Sequence, residues 1–253
     1  MLHNCARSTG PAPGGGFEGD IILQTDFRGV ANIGQATRWT SGQVPYDWSA
    51  VTGSYHTQLK HPKTNISIIY CCFHPFIDKK DRDSIKAAMD QIVRDTSVNN
   101  KACVGFRPKT AADKNFITIR YGTGCSAANW SGSKFVTLQK NGCFSKGTIM
   151  HELIHVLGFW HEHTSPDRDA YVSINYGNIA ASNTHNFNKR TTGQTENLGL
   201  GYDYSSLMHY GSTAFSTNGK PTIVVKKAGA TIGQRGGLSA TDVKKIRKYY
   251  GCK

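Results

Sequence analysis

The stretch HELIHVLGFWH, residues 151–161, decides how this chain is read. It places one carboxylate and three imidazoles in a run that is otherwise apolar. A helix that only filled a core would carry leucine or valine there, because burying His and Glu without partners is costly. Helical residues four apart lie on one face, about one turn apart, so His151 and His155 aim their rings at a common point. Two imidazole nitrogens at about 2.0–2.1 Å suit zinc. Glu152 points in a neighbouring direction, from which it can hold and deprotonate a water at the metal.

If the helix ran on, His161 would face away, since six steps of about 100° do not return to the same side. Gly158 removes that difficulty, because glycine adopts positive φ and can turn the chain sharply. His161 then swings back as a third ligand. Three protein ligands leave the fourth position open, which marks a catalytic zinc site rather than a structural one. The extended pattern H-E-x-x-H-x-x-G-x-x-H is the metzincin signature. SSLMHYG, residues 205–211, supplies the downstream turn of that group, with Met208 as a soft apolar floor under the histidines.

HELIHVLGFWHEHTSPDRD followed by SSLMHYG resembles the astacin family of zinc endopeptidases, as do GTIMHE before them and IGQRGGLSATDVKKI and YYGC at the end. The likeness runs from about residue 39 to residue 252. It implies a two-lobed catalytic domain: an N-terminal mixed β-sheet with two long helices, an irregular C-terminal lobe with a final helix, and one Zn2+ in the cleft between. It implies His151, His155 and His161 as zinc ligands and Glu152 as general base and acid. Tyr210 would be a further ligand in the resting enzyme and would swing off to hydrogen-bond the developing oxyanion. Glu162 would pair with the ammonium of the mature N-terminus. The family's cysteine pattern fits Cys103–Cys252 and Cys125–Cys143. Cys5, Cys71 and Cys72 remain, either as a vicinal Cys71–Cys72 bridge or with one of these paired to Cys5. One departure stands out: where many members carry Arg after HEHT, this chain has Ser165-Pro166, which should alter a salt bridge or the local loop and not the metal.

FEGDI, residues 17–21, resembles the end of an astacin propeptide. In that family the Asp of this motif, here Asp20, reaches the zinc and displaces the catalytic water. Cys5 is a rival plug, because a thiolate is also a good zinc ligand. The expected division is residues 1–29 as inhibitory segment and 30–253 as peptidase domain, with cleavage near Arg28, Gly29 or Val30.

Composition bounds the rest. The 253 residues are 38% hydrophobic, and no run approaches the ~18 apolar residues of a membrane span. The longest apolar stretch, ISIIYCCF at 66–73, has strand length. MLHNCARSTGPAPGGG at the start has no apolar core of signal-peptide type, so either a signal was removed or none existed. Seven cysteines without a CxxC pair read as disulfides of a secreted, extracellular protein. Sequons at Asn65 and Asn129 are compatible with that. The net charge of +13 would suit an anionic partner. The basic residues are scattered, however, and read as a soluble surface more than a polyanion site or a specific nucleic-acid interface. The partners expected are protein or peptide substrates and the chain's own propeptide. A catalytically inactive binding protein on the same scaffold is the alternative, and the intact Glu152 speaks against it.

Periodicity predicts strands at 44–48, 65–73, 116–121 and 135–139 and a helix over 80–98, where Ile85, Ala88, Met89, Ile92 and Val93 form one stripe. A second helix is predicted over 147–158, stopped by Gly158. A third begins at Ser239 as N-cap, with Asp242 three residues on. The order of elements reads as α+β.

Overall fold

The structure, a computed structural model, describes residues 38–48, 56–60, 67–71, 77–129, 134–192, 195 and 197–253. In chain order its regular elements are β1 (Gln43–Asp47), β2 (His56–Lys60), β3 (Ser67–Cys71), α1 (Lys79–Thr96), β4 (Gly105–Pro108), β5 (Ile117–Tyr121), β6 (Cys125–Asn129), β7 (Lys134–Leu138), α2 (Lys146–Val156), β8 (Val172–Ile174), β9 (Ile223–Val225) and α3 (Ala240–Tyr250). The main sheet has the order β4-β1-β5-β7-β6. Its first four strands are parallel, and β6 closes one edge antiparallel to β7. β1 tolerates Pro45 because its ladder with β5 begins only at Tyr46, so at Pro45 just one neighbour, β4, is paired.

Each helix starts where the sequence supplies a cap. Asp78 accepts from the Asp81 amide at 2.9 Å ahead of α1, and the Ser145 hydroxyl accepts from the Thr148 amide at 3.2 Å ahead of α2. Ser239 and Asp242 form a reciprocal capping box on α3. α1 buries Ile85, Ala88, Met89 and Ile92, with Thr96 closing the stripe. Its C-terminal carbonyls are capped by α3: the Arg247 guanidinium donates to the Asp95, Thr96 and Ser97 carbonyls, a cation at the negative end of the helix dipole.

α2 is buried almost all round, as befits a helix inside the protein rather than on its surface. It packs against α1 on one side and β6 and β7 on the other. Gly147 is required where α2 begins, since a Cβ there would meet the Arg235 carbonyl oxygen at 1.8 Å. The main core joins the sheet, α1 and α2 through Ile117, Ile119, Val136, Leu138, Ile149, Leu153 and Ile154. Beyond α2 the chain forms short 3-10 turns and the β8–β9 pair around a smaller core of Val172, Ile179, Phe187, Tyr210 and Ile223. Disulfides Cys103–Cys252 and Cys125–Cys143 tie the chain end to the segment before β4 and β6 to the loop before α2.

The α+β reading and the two-helix first lobe match this architecture, with element ends displaced by a residue or two. Asp20, Cys5, Cys72, Asn65 and the proposed cleavage region lie outside the described residues, as do the side chains of Cys71 and Asn129. Among the described residues no helix is long and apolar enough to cross a membrane.

Candidate metal centre

α2 carries His151 and His155 one turn apart, as their spacing requires. The helix then ends in a Schellman turn: the Gly158 amide donates to the His155 carbonyl at 2.9 Å and the Phe159 amide to that of Ile154 at 3.2 Å. Gly158 sits at φ +100°, a conformation that L side chains rarely adopt. Two further carbonyls at this end are satisfied from distant sequence. The Trp39 indole donates to Val156 at 2.8 Å and the Tyr250 hydroxyl to Leu157 at 3.0 Å. The reversed chain presents His161 to the two helical histidines.

The three Nε2 atoms face each other. His151 Nε2 lies 3.1 Å from that of His161 and 3.1 Å from that of His155. All three rings are buried. The other ring nitrogens decide the tautomers. His151 Nδ1 lies 3.0 Å from the Leu207 carbonyl and His155 Nδ1 2.8 Å from the Phe159 carbonyl. A carbonyl only accepts, so both Nδ1 atoms carry the proton and both Nε2 atoms present lone pairs. Neutral lone pairs that converge in this way repel one another, and a cation between them removes the conflict. Tetrahedral zinc with bonds of about 2.0–2.1 Å sets its nitrogens about 3.3 Å apart, close to the spacing observed. The donor set fits zinc.

Around this point the chain stacks further groups. Glu152 is 1% exposed. The Tyr210 ring lies 4.4 Å from that of His161 and is itself buried. Met208 is buried in the main core, and its carbonyl accepts from the Glu162 amide at 3.0 Å, which joins its turn to the third histidine's neighbour. The Met208 turn is held in addition by Asp242. Its carboxylate accepts from the Ser206 hydroxyl at 2.6 Å, the Leu207 amide at 2.8 Å and the Ser239 amide at 3.0 Å. Burial pushes the Asp242 pKa up against the pull of these bonds. Arg235 donates to the Leu207 and His209 carbonyls from the other side.

In the full chain Glu162 pairs with a lysine of α3. Lys245 Nζ donates to both Glu162 oxygens, at 2.7 and 2.8 Å, and the Asp203 amide donates at 2.8 Å. Both side chains of the pair are 9% exposed. Burial raises the Glu162 pKa and Lys245 opposes the rise. A small cavity beside the pair is lined by Trp160, His161, Ser165, Asn197 and Tyr249 among others. Ser165 at the point of departure from the family pattern donates to Asp167 at 2.5 Å, so the local loop is closed by a hydroxyl.

Four participants were not singled out from sequence. His163 is fully buried, and burial holds it well below the ordinary imidazole range. His209 is held at about 4, chiefly by burial; its Nε2 accepts from the Tyr202 hydroxyl at 2.6 Å. Arg235 and the anchoring role of Asp242 complete the set. The signal for the histidines was their proximity to HExxH and to Met208; for Arg235 and Asp242 the contacts are long-range and no local pattern encodes them.

The astacin family model (peptidase family M12A) matches residues 55–251. The chain is 39% identical to zinc metalloproteinase nas-15 of Caenorhabditis elegans over 85% of this chain and 32% of that protein. With zinc metalloproteinase nas-13 of the same organism the identity is 44%, over 93% of this chain and 46% of that one. It therefore spans less than half the length of these relatives. Among solved structures, high choriolytic enzyme 1, a hatching enzyme zinc-protease from the medaka fish Oryzias latipes, superposes with a TM-score of 0.67 at 32% identity, covering 85% of this chain and 94% of that one. The convergent histidines, the turn that delivers the third of them and these likenesses agree: the chain belongs to the astacin family.

Proposed function

We propose that this chain is a secreted zinc endopeptidase that hydrolyses peptide bonds of proteins, with residues 30–253 as its peptidase domain and residues 1–29 as an inhibitory leader. The observation that carries the reading is the convergence of three buried Nε2 atoms beside a buried Glu152 on the same helix. His151, His155 and His161 would hold the metal. When bound, zinc supplies Lewis acidity, lowering the pKa of a water towards ~7 and polarising a carbonyl oxygen.

Glu152 takes a proton from the attacking water and delivers it to the leaving amine. The carbonyl carbon gains the water oxygen, the C–N bond breaks, and the products are a carboxylate and an amine. The Tyr210 hydroxyl donates to the carbonyl oxygen as it gains charge, which is worth most in a dry site. In the resting enzyme Tyr210 would complete the ligand set, and Met208 would serve as the apolar floor. Asp20 would take the water's place while the leader is attached, so the full chain would be latent. The relatives' names, zinc metalloproteinases and choriolytic enzymes, favour protein substrates, and the two disulfides favour an extracellular setting.

Glu152→Gln tests the chemistry. The variant should keep one zinc per chain by elemental analysis and lose a factor of about 10²–10⁴ in casein hydrolysis. Hydrolysis at the wild-type rate removes Glu152 from the mechanism. Asp20→Ala in the full chain tests latency. If wild type and variant are equally inactive until residues 1–29 are removed, another group such as Cys5 is the plug.

A further inference from the structure

We propose that His163 is a positioning residue for Tyr210: its imidazole plane sets the tilt at which the phenol ring stands beside His161. The inference rests on the reading of Tyr210 as the oxyanion donor. The Tyr210 ring packs against two histidines that are two residues apart and whose own ring centroids lie 5.6 Å from each other. His161 meets it obliquely, with centroids 4.4 Å apart and planes at 52°. His163 covers a face of the ring, at 4.0 Å and 27°, a stacked pair. The edges are closed by Phe187 and Phe215 at 6.0 and 5.7 Å. Of these neighbours only His163 lies nearly parallel to the phenol, so it is the one that fixes the ring's plane.

His163 is itself fixed. Its Nε2 lies 3.0 Å from the Asn186 carbonyl, so Nε2 carries the proton and that bond sets the rotation of the ring. The backbone carbonyls of His163 and Phe187 both accept from Arg168 Nη1, which pins the plate and the edge to one guanidinium. His163 Nδ1, in contrast, is buried and has no partner among the described residues. A ring kept for its hydrogen bonds would not leave a nitrogen so placed, since an unmet buried acceptor is costly. What the imidazole supplies here is a small flat face that one bond can orient.

The test separates the plane from the hydrogen bond. His163→Leu fills the space without a plane; His163→Phe keeps the plane without the Asn186 bond. In the zinc-loaded protein, trimmed of residues 1–29 where the full chain is inactive, His163→Leu should lower kcat roughly three- to tenfold with KM unchanged, the range of an aromatic pair. His163→Phe should stay within about twofold of wild type on the same reasoning. The affinity for a phosphinic peptide, whose tetrahedral oxygen stands in for the oxyanion, should fall with kcat by calorimetry, while that for a product peptide should not. In a Tyr210→Phe background His163→Leu should add nothing. A wild-type kcat for His163→Leu, or an equal loss in the Tyr210→Phe background, overturns the proposal. Tyr210→Phe at wild-type kcat would instead remove the reading of Tyr210, and this inference with it. Should His163→Leu not fold, His163→Gln, which has no ring and can still donate to the Asn186 carbonyl, carries the same expectation.

Discussion

Asp242 is the place where a single atom group outside the metal centre should be felt inside it. The carboxylate accepts three hydrogen bonds, from Ser206, Leu207 and Ser239. Leu207, whose amide it grips, turns its own carbonyl to His151 Nδ1 at 3.0 Å. One residue thus connects the start of α3 to a histidine proposed to hold zinc. Bonds to a charged acceptor are worth about 1.5–3 kcal/mol each. Their plain sum overstates the effect, because the carboxylate is buried with a raised pKa and deleting it returns its desolvation cost. The expected loss for Asp242→Ala is about 2–4 kcal/mol in urea unfolding at saturating zinc. Asp242→Asn can keep its carbonyl oxygen toward the two amides and turn its NH2 to the Ser206 hydroxyl, for a loss of about 1 kcal/mol. The second readout is zinc affinity, measured by competition with a chelator. Groups that orient a ligand through its far nitrogen typically matter by about 10–100-fold, and Asp242 acts one residue further out, so a weakening near tenfold is expected for the alanine variant. A folded Asp242→Ala protein with wild-type zinc affinity would refute the connection, and a stability loss well under 1 kcal/mol would refute the anchor.

Lys245→Met should cost about 3–5 kcal/mol by leaving the buried Glu162 charge without its cation, and adding Glu162→Gln should recover most of it; equal stability of the single and double variants in urea would mean that the unpaired carboxylate costs nothing. His209 is held at about 4 in the fold against an ordinary value near 6.5. Between those values the unfolded chain binds the proton and the folded chain does not, so stability is lost as pH falls through that window. At pH 4.5 the loss from this group is roughly 2–3 kcal/mol, and His209→Gln should flatten the pH dependence of stability by about that amount. Gly158→Ala forces a Cβ onto a residue at φ +100°, 3.4 Å from the Tyr249 hydroxyl. It should cost about 1–3 kcal/mol and weaken zinc binding through His161, whereas an unchanged melting temperature would show that the turn has other ways to close.

The parts of the fold legible in sequence are those whose cause is local. α1 shows its stripe, α3 its capping box, and α2 its ligand spacing and its glycine stop. β5 buries Ile117 and Ile119 on a period of two, and β7 sends Val136 and Leu138 into the same core. β4 and β6 were not legible, and both are edge strands. β4 ends in Pro108 and β6 reads CSAAN; an edge need not carry the apolar pattern of an interior strand. β8 and β9 have three residues each, too short for periodicity to register. The same division runs through the site. The three histidines and Glu152 announce themselves within eleven residues. Their supports do not, because the bonds that orient them span 56 residues from His151 to Leu207 and 117 from Trp39 to Val156.

The tripeptide His161-Glu162-His163 shows why such supports must come from far away. Three consecutive side chains serve three neighbours. His161 turns its Nε2 to the helical histidines, Glu162 meets Lys245 on α3, and His163 lies flat on Tyr210. Adjacent residues can be aimed so differently only if the backbone between them is fixed. It is fixed by bonds from the Glu162 amide to the Met208 carbonyl and from the Arg190 amide to the Thr164 carbonyl, and from the Thr164 hydroxyl to the His161 carbonyl at 2.7 Å. Arg168 holds the His163 carbonyl. A short 3-10 turn of this kind has little intrinsic stability, so its shape is lent by the second lobe. The helix can place two ligands by spacing alone. The third depends on how the whole C-terminal half is packed, which is why the metal centre lies where the two halves of the chain meet.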